Sequence, residues 1–334
     1  MSKLKKALIT VACIIAVTAV VAGAVIHHGR KADYNVEAKS SIAMGTVVTV
    51  KIYNDIQTNL IPNVNSVIDS LENTISWRKE ASPVAALNKT GRCENPMVAE
   101  IINSCRKISD STDGSFDLTV GKVSTLWDFG GDNERLPDES EIKNALRFVD
   151  YKKLETTGSE AFCADGQQSD LGAIGKGLAC DVVREYLEAS EVKGAVVSVG
   201  GSICAFGSRN KAGDKWRIAI KHPEKENEFI GVVCLNEGFV STSGDYEKYF
   251  ELDGVRYHHI LDAKTGYPAK SNLKSVTVVC NSGMLSDALS TACFILGKEK
   301  SEELLKEYNA SAVFVDSEGK ITVSGDIEFE EYGY

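Results

Sequence analysis

Asp287 and Thr291 stand four residues apart in Ser286-Asp287-Ala288-Leu289-Ser290-Thr291-Ala292, so on a helix they share one face. A carboxylate and a hydroxyl presented together are hard oxygen ligands, which suit Mg²⁺ far better than zinc. Alternatively, the Asp starts a helix and the Thr bonds back to the preceding turn. Gly172-Ala173-Ile174-Gly175-Lys176-Gly177 puts three glycines into six residues. At a strand-to-helix junction such a run exposes backbone amides that suit a phosphate, and Lys176 adds a point charge. It is not a phosphate-loop motif, which needs Gly where Asp170 stands and Ser or Thr where Gly177 stands, and it does not meet the GxGxxG spacing. A tight turn of small residues for close packing is the competing reading. His258 and His259 are adjacent. On a strand they point to opposite faces, so they cannot chelate one metal side by side. The one facing a cleft is a candidate general base or substrate contact, with a purely structural histidine as the competing reading.

These residues need elements to position them. Val47–Tyr53 alternates as a strand does. Helical patterns follow at 61–75 and 97–112, the second after Pro96. Pro137-Asp138-Glu139-Ser140 opens a further helix with acids in its first turn, and residues 174–190 read as a helix after the Gly-rich turn. Strands are expected at 194–199, 203–207, 216–221, 229–235, 248–252, 256–261 and 274–280, then helices at 286–296 and 299–308 and short strands near 312–315 and 320–323. Val240–Tyr246 reads as a small-residue loop. Many antiparallel-looking strands mixed with helices indicate an α+β (mixed α/β) fold. No linker or low-complexity tract divides residues 41–334, so one domain is expected there.

The chain has 334 residues, 43% hydrophobic and 25% charged, a globular composition that excludes wholesale disorder. Lys3, Lys5 and Lys6 precede an apolar stretch from Ala7 to Ile26, which His27, His28, Arg30 and Lys31 end. In a helix, 20 residues reach about 30 Å, enough for a bilayer core. Residues 1–31 therefore read as a signal peptide, with Ala22-Gly23-Ala24 as cleavage signal, or as an uncleaved membrane anchor; Cys13 is a poor lipoprotein site. Either reading places the working part outside the cytoplasm, with residues 32–40 as a polar tether. Past residue 24, 34 basic residues stand against 47 acids, a net charge of −13. That excludes a generic nucleic-acid binder, which needs a basic field. The eight cysteines after Cys13 include no CxxC pair and sit mostly in apolar settings, which favours free core thiols over disulfides or zinc.

Taken in order, the motifs resemble the FAD:protein FMN transferase family (ApbE-type flavin transferases). The resemblance is carried by Ala43-Met44-Gly45-Thr46, by Asp113-Gly114-Ser115-Phe116-Asp117-Leu118-Thr119-Val120-Gly121 with Leu126-Trp127, and by Asp170–Gly177 with Asp181. It continues through Val199-Gly200-Gly201-Ser202, Thr242-Ser243-Gly244-Asp245, His259-Ile260-Leu261-Asp262 with Thr265-Gly266, and Asp287-Ala288 with Thr291-Ala292. It runs from about residue 40 to 325.

The resemblance implies a single ApbE-like domain, with antiparallel-rich sheets flanked by helices, that uses FAD as substrate and Mg²⁺ as cofactor. Such enzymes move FMN onto a Thr or Ser hydroxyl of a partner protein and release AMP. Carried over by motif, the Ala173 carbonyl and the Asp287 and Thr291 side chains would hold the metal. Met44, Ser115, Phe116, Asp117, Asp170, Lys176 and Leu261 would contact FAD. His259 is the candidate to accept the hydroxyl proton or orient the acceptor, while Lys176 and Asp287 complete the catalytic set. Two departures stand out. Arg78 occupies a place near the flavin where many members have Tyr, so it would stack on or bond the isoalloxazine. Ser290 stands where some members carry an Asp, so a single metal is expected. The family points to acceptors that are flavoprotein subunits of membrane or extracytoplasmic redox systems. The chain carries no Asp-x-x-Ser/Thr-Gly-Ala-Thr acceptor motif of its own. FAD pyrophosphatase activity yielding FMN and AMP, or non-catalytic flavin binding, are the alternatives.

Overall fold

Thr46–Asn54, rich in β-branched residues, pairs on both sides and becomes the second strand of an eight-stranded sheet. The computed structural model describes residues 34–332. The signal or anchor segment, Cys13 and the first residues of the expected tether lie outside that range. In spatial order the sheet runs Asn35–Ala43, Thr46–Asn54, Gly194–Val199, Ser202–Gly207, Gly238–Gly244, Leu273–Cys280, Ser311–Asp316 and Ile321–Ser324. Spatial order follows chain order, and every neighbouring pair is antiparallel.

The central strands are covered on both faces, which is why their sequences read as near-continuous apolar runs. On one face Val48, Val50, Ile52, Val197, Val199, Val276 and Val278 pack with buried residues of helices Ile61–Ile75, Pro96–Ser111, Gly175–Ala189 and Gly283–Leu296. On the other, Tyr53, Ala205, Val240, Val313 and Val315 meet Trp216, Ile218, Ile220, Ile230, Val233 and Leu235. Those six come from or adjoin a second sheet of three strands, Trp216–Lys221, Phe229–Leu235 and Glu328–Glu331. A third, aromatic cluster surrounds the fully buried Trp127. Its indole stacks on Phe129 with ring centres 5.4 Å apart, lies 5.6 Å from Tyr257 and 5.9 Å from Tyr267, and donates its N–H to the Gly266 carbonyl at 2.9 Å. This cluster ties helix Gly121–Trp127 to the hairpin Tyr249–Leu252/Val255–His258 and to the short pair Leu261–Asp262/Tyr267–Pro268.

The mixed, antiparallel-rich fold expected from the sequence is the fold observed. Several local readings differ; one is that the expected strand 256–261 is split into Val255–His258 and Leu261–Asp262. Residues 35–40, expected in a tether, form most of the edge strand Asn35–Ala43. That strand is largely exposed, so its polar composition hid it. Gly238–Gly244 is a central strand rather than a loop. Its serines and glycines are small because helix Gly283–Leu296 lies directly on them: the Ser241 hydroxyl is 2.7 Å from that of Ser286, and the Ser243 hydroxyl 2.8 Å from that of Ser290. Helix Gly283–Leu296 also begins three residues earlier than expected. All eight described cysteines are free thiols, and all but the half-buried Cys163 are buried. Burial pushes the Cys105, Cys204 and Cys293 thiols up to about 12, as inert core positions require.

Candidate active site

Helices Gly175–Ala189 and Gly283–Leu296 touch backbone to backbone. A Cβ on Gly177 would lie 1.9 Å from the Gly283 carbonyl oxygen, and one on Gly283 would lie 2.2 Å from the Gly177 carbonyl oxygen. No other residue type fits either position. That approach brings Asp287, one turn into its helix, to the start of the other. Asp287 Oδ2 accepts the Gly177 amide at 2.9 Å, and Lys176 Nζ stands 3.9 Å from Oδ1. From sequence, the Gly-rich helix start offers its amides to an oxyanion such as a phosphate. For Gly177, however, that oxyanion is the carboxylate of Asp287.

Asp287 is 2% exposed and Lys176 26%. Burial pushes the Asp287 carboxyl above the ordinary range, with Lys176 and the Gly177 amide opposing that rise. Asp287 in turn holds the Lys176 ammonium above its usual value against the cost of burial, with further help from Glu247. A largely buried carboxylate beside one lysine leaves room for more positive charge. Thr291, one turn beyond Asp287, has its hydroxyl 3.2 Å from that of Ser243. Ser290 is fully buried and its hydroxyl donates to the Asp287 carbonyl at 2.9 Å. It adds no charge where a second carboxylate would.

His259 follows the strand Val255–His258 and lies within electrostatic reach of Lys176. Burial, aided by Lys176 and Lys248, pushes its imidazole down to about 3, so the ring is neutral near pH 7. Its Nδ1 lies 3.2 Å from the Lys248 carbonyl oxygen. A carbonyl only accepts, so Nδ1 carries the hydrogen and Nε2 keeps its lone pair. His258 points the other way: it is buried, lies 5.4 Å edge-on to Phe294, and bonds the Ala269 carbonyl through Nε2 at 3.2 Å. His259 lies just past the strand end, so the two rings take different surroundings without alternating along one strand.

The remaining sequence candidates fall into two groups. Met44 packs at the helix start, where its Cε would touch a Cβ on Gly175 at 3.3 Å. Ser115 accepts the Ala263 amide on its carbonyl at 3.1 Å, which joins the 115–118 segment to the strand carrying Leu261. Others serve as scaffold. Phe116 is buried in the main core. Asp117 is buried with both oxygens committed: Oδ1 accepts from the Thr119 amide and hydroxyl at 2.7 Å each, and Oδ2 from the Tyr151 amide at 2.9 Å. Asp170 braces its own turn, accepting from the Gly172 amide and the Ser124 hydroxyl at 2.9 Å each. Arg78 is exposed, its guanidinium 4.1 Å above the Trp77 ring. Glu247, Lys248 and Ser243 join the site only through the fold. None lies in a motif spacing that marks it, although Ser243 belonged to a segment already quoted.

The pattern of motifs can be set against known proteins. The ApbE family model matches residues 44–315. The chain belongs to the ApbE family. Curated relatives include "FAD:protein FMN transferase" of Treponema pallidum, 30% identical with 90% of each chain covered, and of Klebsiella pneumoniae, 32% identical with 87% of this chain and 93% of that one covered. Among solved structures, the ApbE protein of Thermotoga maritima superposes with a TM-score of 0.80 at 32% identity over 87% of this chain and 97% of that one. The flavinyl transferase ApbE of Pseudomonas stutzeri gives 0.77 at 34%, over 87% and 95%.

Proposed function

We propose that the protein is a Mg²⁺-dependent FAD:protein FMN transferase, which moves FMN from FAD onto a Thr or Ser hydroxyl of an acceptor protein and releases AMP. The observation that supports it best is the meeting of Lys176, Asp287 and Thr291 at one helix crossing, in a chain related over most of its length to proteins of that name.

The donor set suits Mg²⁺. Asp287 is a buried carboxylate, Thr291 a hydroxyl on the same face, and Ala173 precedes the flanking residue Ile174, so its carbonyl lies outside the helix proper. The Gly177 amide, whose regular i−4 partner would be that carbonyl, donates to Asp287. These three groups would hold the ion, and Asp170 and Met44 would shape the turn beside it. When bound, Mg²⁺ would neutralise pyrophosphate charge and favour departure of AMP.

Lys176 places a second positive charge against the pyrophosphate. The acceptor hydroxyl oxygen forms the new bond to the FMN phosphorus as the bond from that phosphorus to the AMP oxygen breaks. The hydroxyl proton passes to His259 Nε2, the free nitrogen of the neutral ring. Flavin contacts are assigned to Met44, Arg78, Ser115 and Leu261, with Phe116, Asp117 and Asp170 supporting them from behind. The same reading makes residues 1–31 a signal peptide or anchor and sets residues 41–334 on the extracytoplasmic side, with redox flavoprotein subunits as acceptors.

Co-expression with an acceptor carrying the Asp-x-x-Ser/Thr-Gly-Ala-Thr motif should give in-gel flavin fluorescence at the acceptor's mass, lost in Asp287→Ala. AMP and free FMN without labelled acceptor would instead favour FAD hydrolysis.

A further inference from the structure

The helix crossing has an internal symmetry. Gly177 and Asp181 are four residues apart on one helix, and Gly283 and Asp287 are four apart on the other. Each glycine backs onto the carbonyl of the other. Each aspartate reaches across: Asp287 accepts the Gly177 amide at 2.9 Å, and Asp181 accepts the Gly283 amide through Oδ1 and the Met284 amide through Oδ2, both at 2.7 Å. The two helices thus exchange carboxylate caps about an approximate local two-fold axis. The halves differ in the residue before each glycine, which is Lys176 on one side and Ser282 on the other. Ser282 caps its own helix, 3.4 Å from the Leu285 amide, whereas Lys176 faces Asp287.

We propose that Asp181 is the positioning residue for the Asp287/Thr291 pair. With both oxygens on consecutive first-turn amides, it sets the rotation and axial position of helix Gly283–Leu296 against helix Gly175–Ala189. Asp287 and Thr291 lie one and two turns further along the same helix, so their oxygens inherit that setting. A helix start held only by its N-cap serine could slide or rotate at the glycine contact, where no side chain interlocks. A first-layer carboxylate whose supporting contacts are lost typically drops about 10- to 100-fold in metal affinity.

The inference rests on the metal reading of Asp287 and Thr291, and its test separates the two. Mn²⁺ binding to the purified protein with FAD present, followed by the electron paramagnetic resonance signal of free Mn²⁺, gives a dissociation constant independent of turnover. Asp287→Ala should abolish binding; if it does not, the metal reading itself fails. Asp181→Ala should weaken Mn²⁺ by about tenfold or more. Asp181→Asn keeps one oxygen acceptor for one of the two amides, so it should fall between and serves if the alanine variant does not fold. Wild-type Mn²⁺ affinity in folded Asp181→Asn or Asp181→Ala, even with a lowered thermal midpoint, would make Asp181 a simple helix cap and overturn the proposal.

Discussion

Replacing Gly177 with alanine sets two effects against each other. In a helix the change removes backbone entropy from the unfolded chain and on its own stabilises by about 1 kcal/mol. In this fold the new methyl would lie 1.9 Å from the Gly283 carbonyl oxygen, 2.6 Å from its carbon and 2.7 Å from Asp287 Cβ. Those obstructions are two backbone atoms and the root of a buried side chain, so none can swing away. Restoring an ordinary contact requires the helices to part by roughly 1.5 Å, in a core packed at crystal-like density. Overpacking of that kind costs about 3 kcal/mol, the upper part of its usual range. The net loss is then about 2 kcal/mol, and for a folded unit of this size the thermal midpoint should fall by roughly 3 °C. The same displacement carries Asp287 away from Lys176 and the Gly177 amide, and a 1 Å misplacement costs on the order of 10²-fold in rate. Differential scanning calorimetry of the purified residues 34–332 and FMN transfer to a co-purified acceptor measure the two effects. A midpoint equal to or above the wild type would mean that helix propensity wins, and the close-contact argument would be refuted.

His258 and His259 both have imidazoles pushed below the ordinary value, chiefly by burial, and His259 also faces Lys176 and Lys248 while His258 faces Asp245, Arg256 and Lys274. A group that binds its proton less readily when folded makes stability fall as pH drops below its unfolded value near 6.5. Thermal midpoints should therefore decline from pH 7 to pH 5.5, and less steeply in His259→Gln; an equal slope in the variant would contradict the assignment. The same variant should lose about 10²-fold or more in FMN transfer at saturating FAD, and an unchanged rate would remove His259 from the proton step. Trp127→Ala deletes the centre of the aromatic cluster and the indole bond to Gly266. At about 3–5 kcal/mol for such a truncation it should lower the midpoint by roughly 5–8 °C; a fall of only a degree or two would mean that the cluster relaxes around the gap.

Elements with a strong local period were legible in the sequence. Helices Ile61–Ile75 and Pro96–Ser111 bury apolar residues at helical spacing, and the second opens on Pro96 behind Asn95, whose side chain caps the Val98 amide. Strands Trp216–Lys221 and Phe229–Leu235 carry enough β-branched residues to stand out. Gly238–Gly244 did not, because Val-Ser-Thr-Ser-Gly is also what a turn contains. Its small residues answer to a helix 40 residues later in the chain rather than to their own neighbours. Helix Pro83–Thr90 is short, and only Val84 and Leu87 are buried in it, too few for a period.

For the site, the residue types of Lys176, Asp287, Thr291 and His259 sufficed to suggest oxygen ligation, phosphate charge and a base, because those properties belong to the side chains wherever they lie. Their use depends on partners far away in the chain. The Gly177 amide is taken by a carboxylate 110 residues on. The His259 tautomer is set by a carbonyl eleven residues back. Asp117 and Asp170, acids in equally prominent motifs, turn out to be tied up in bracing their own turns and in bonds from Tyr151 and Ser124 respectively. Sequence alone thus determined what each group is able to do, since pKa class, ligand hardness and helix period are local properties. Only the tertiary structure decided which of them are free to do it, because the amides, carbonyls and close glycine contacts that occupy or release a side chain come together only when distant segments pack.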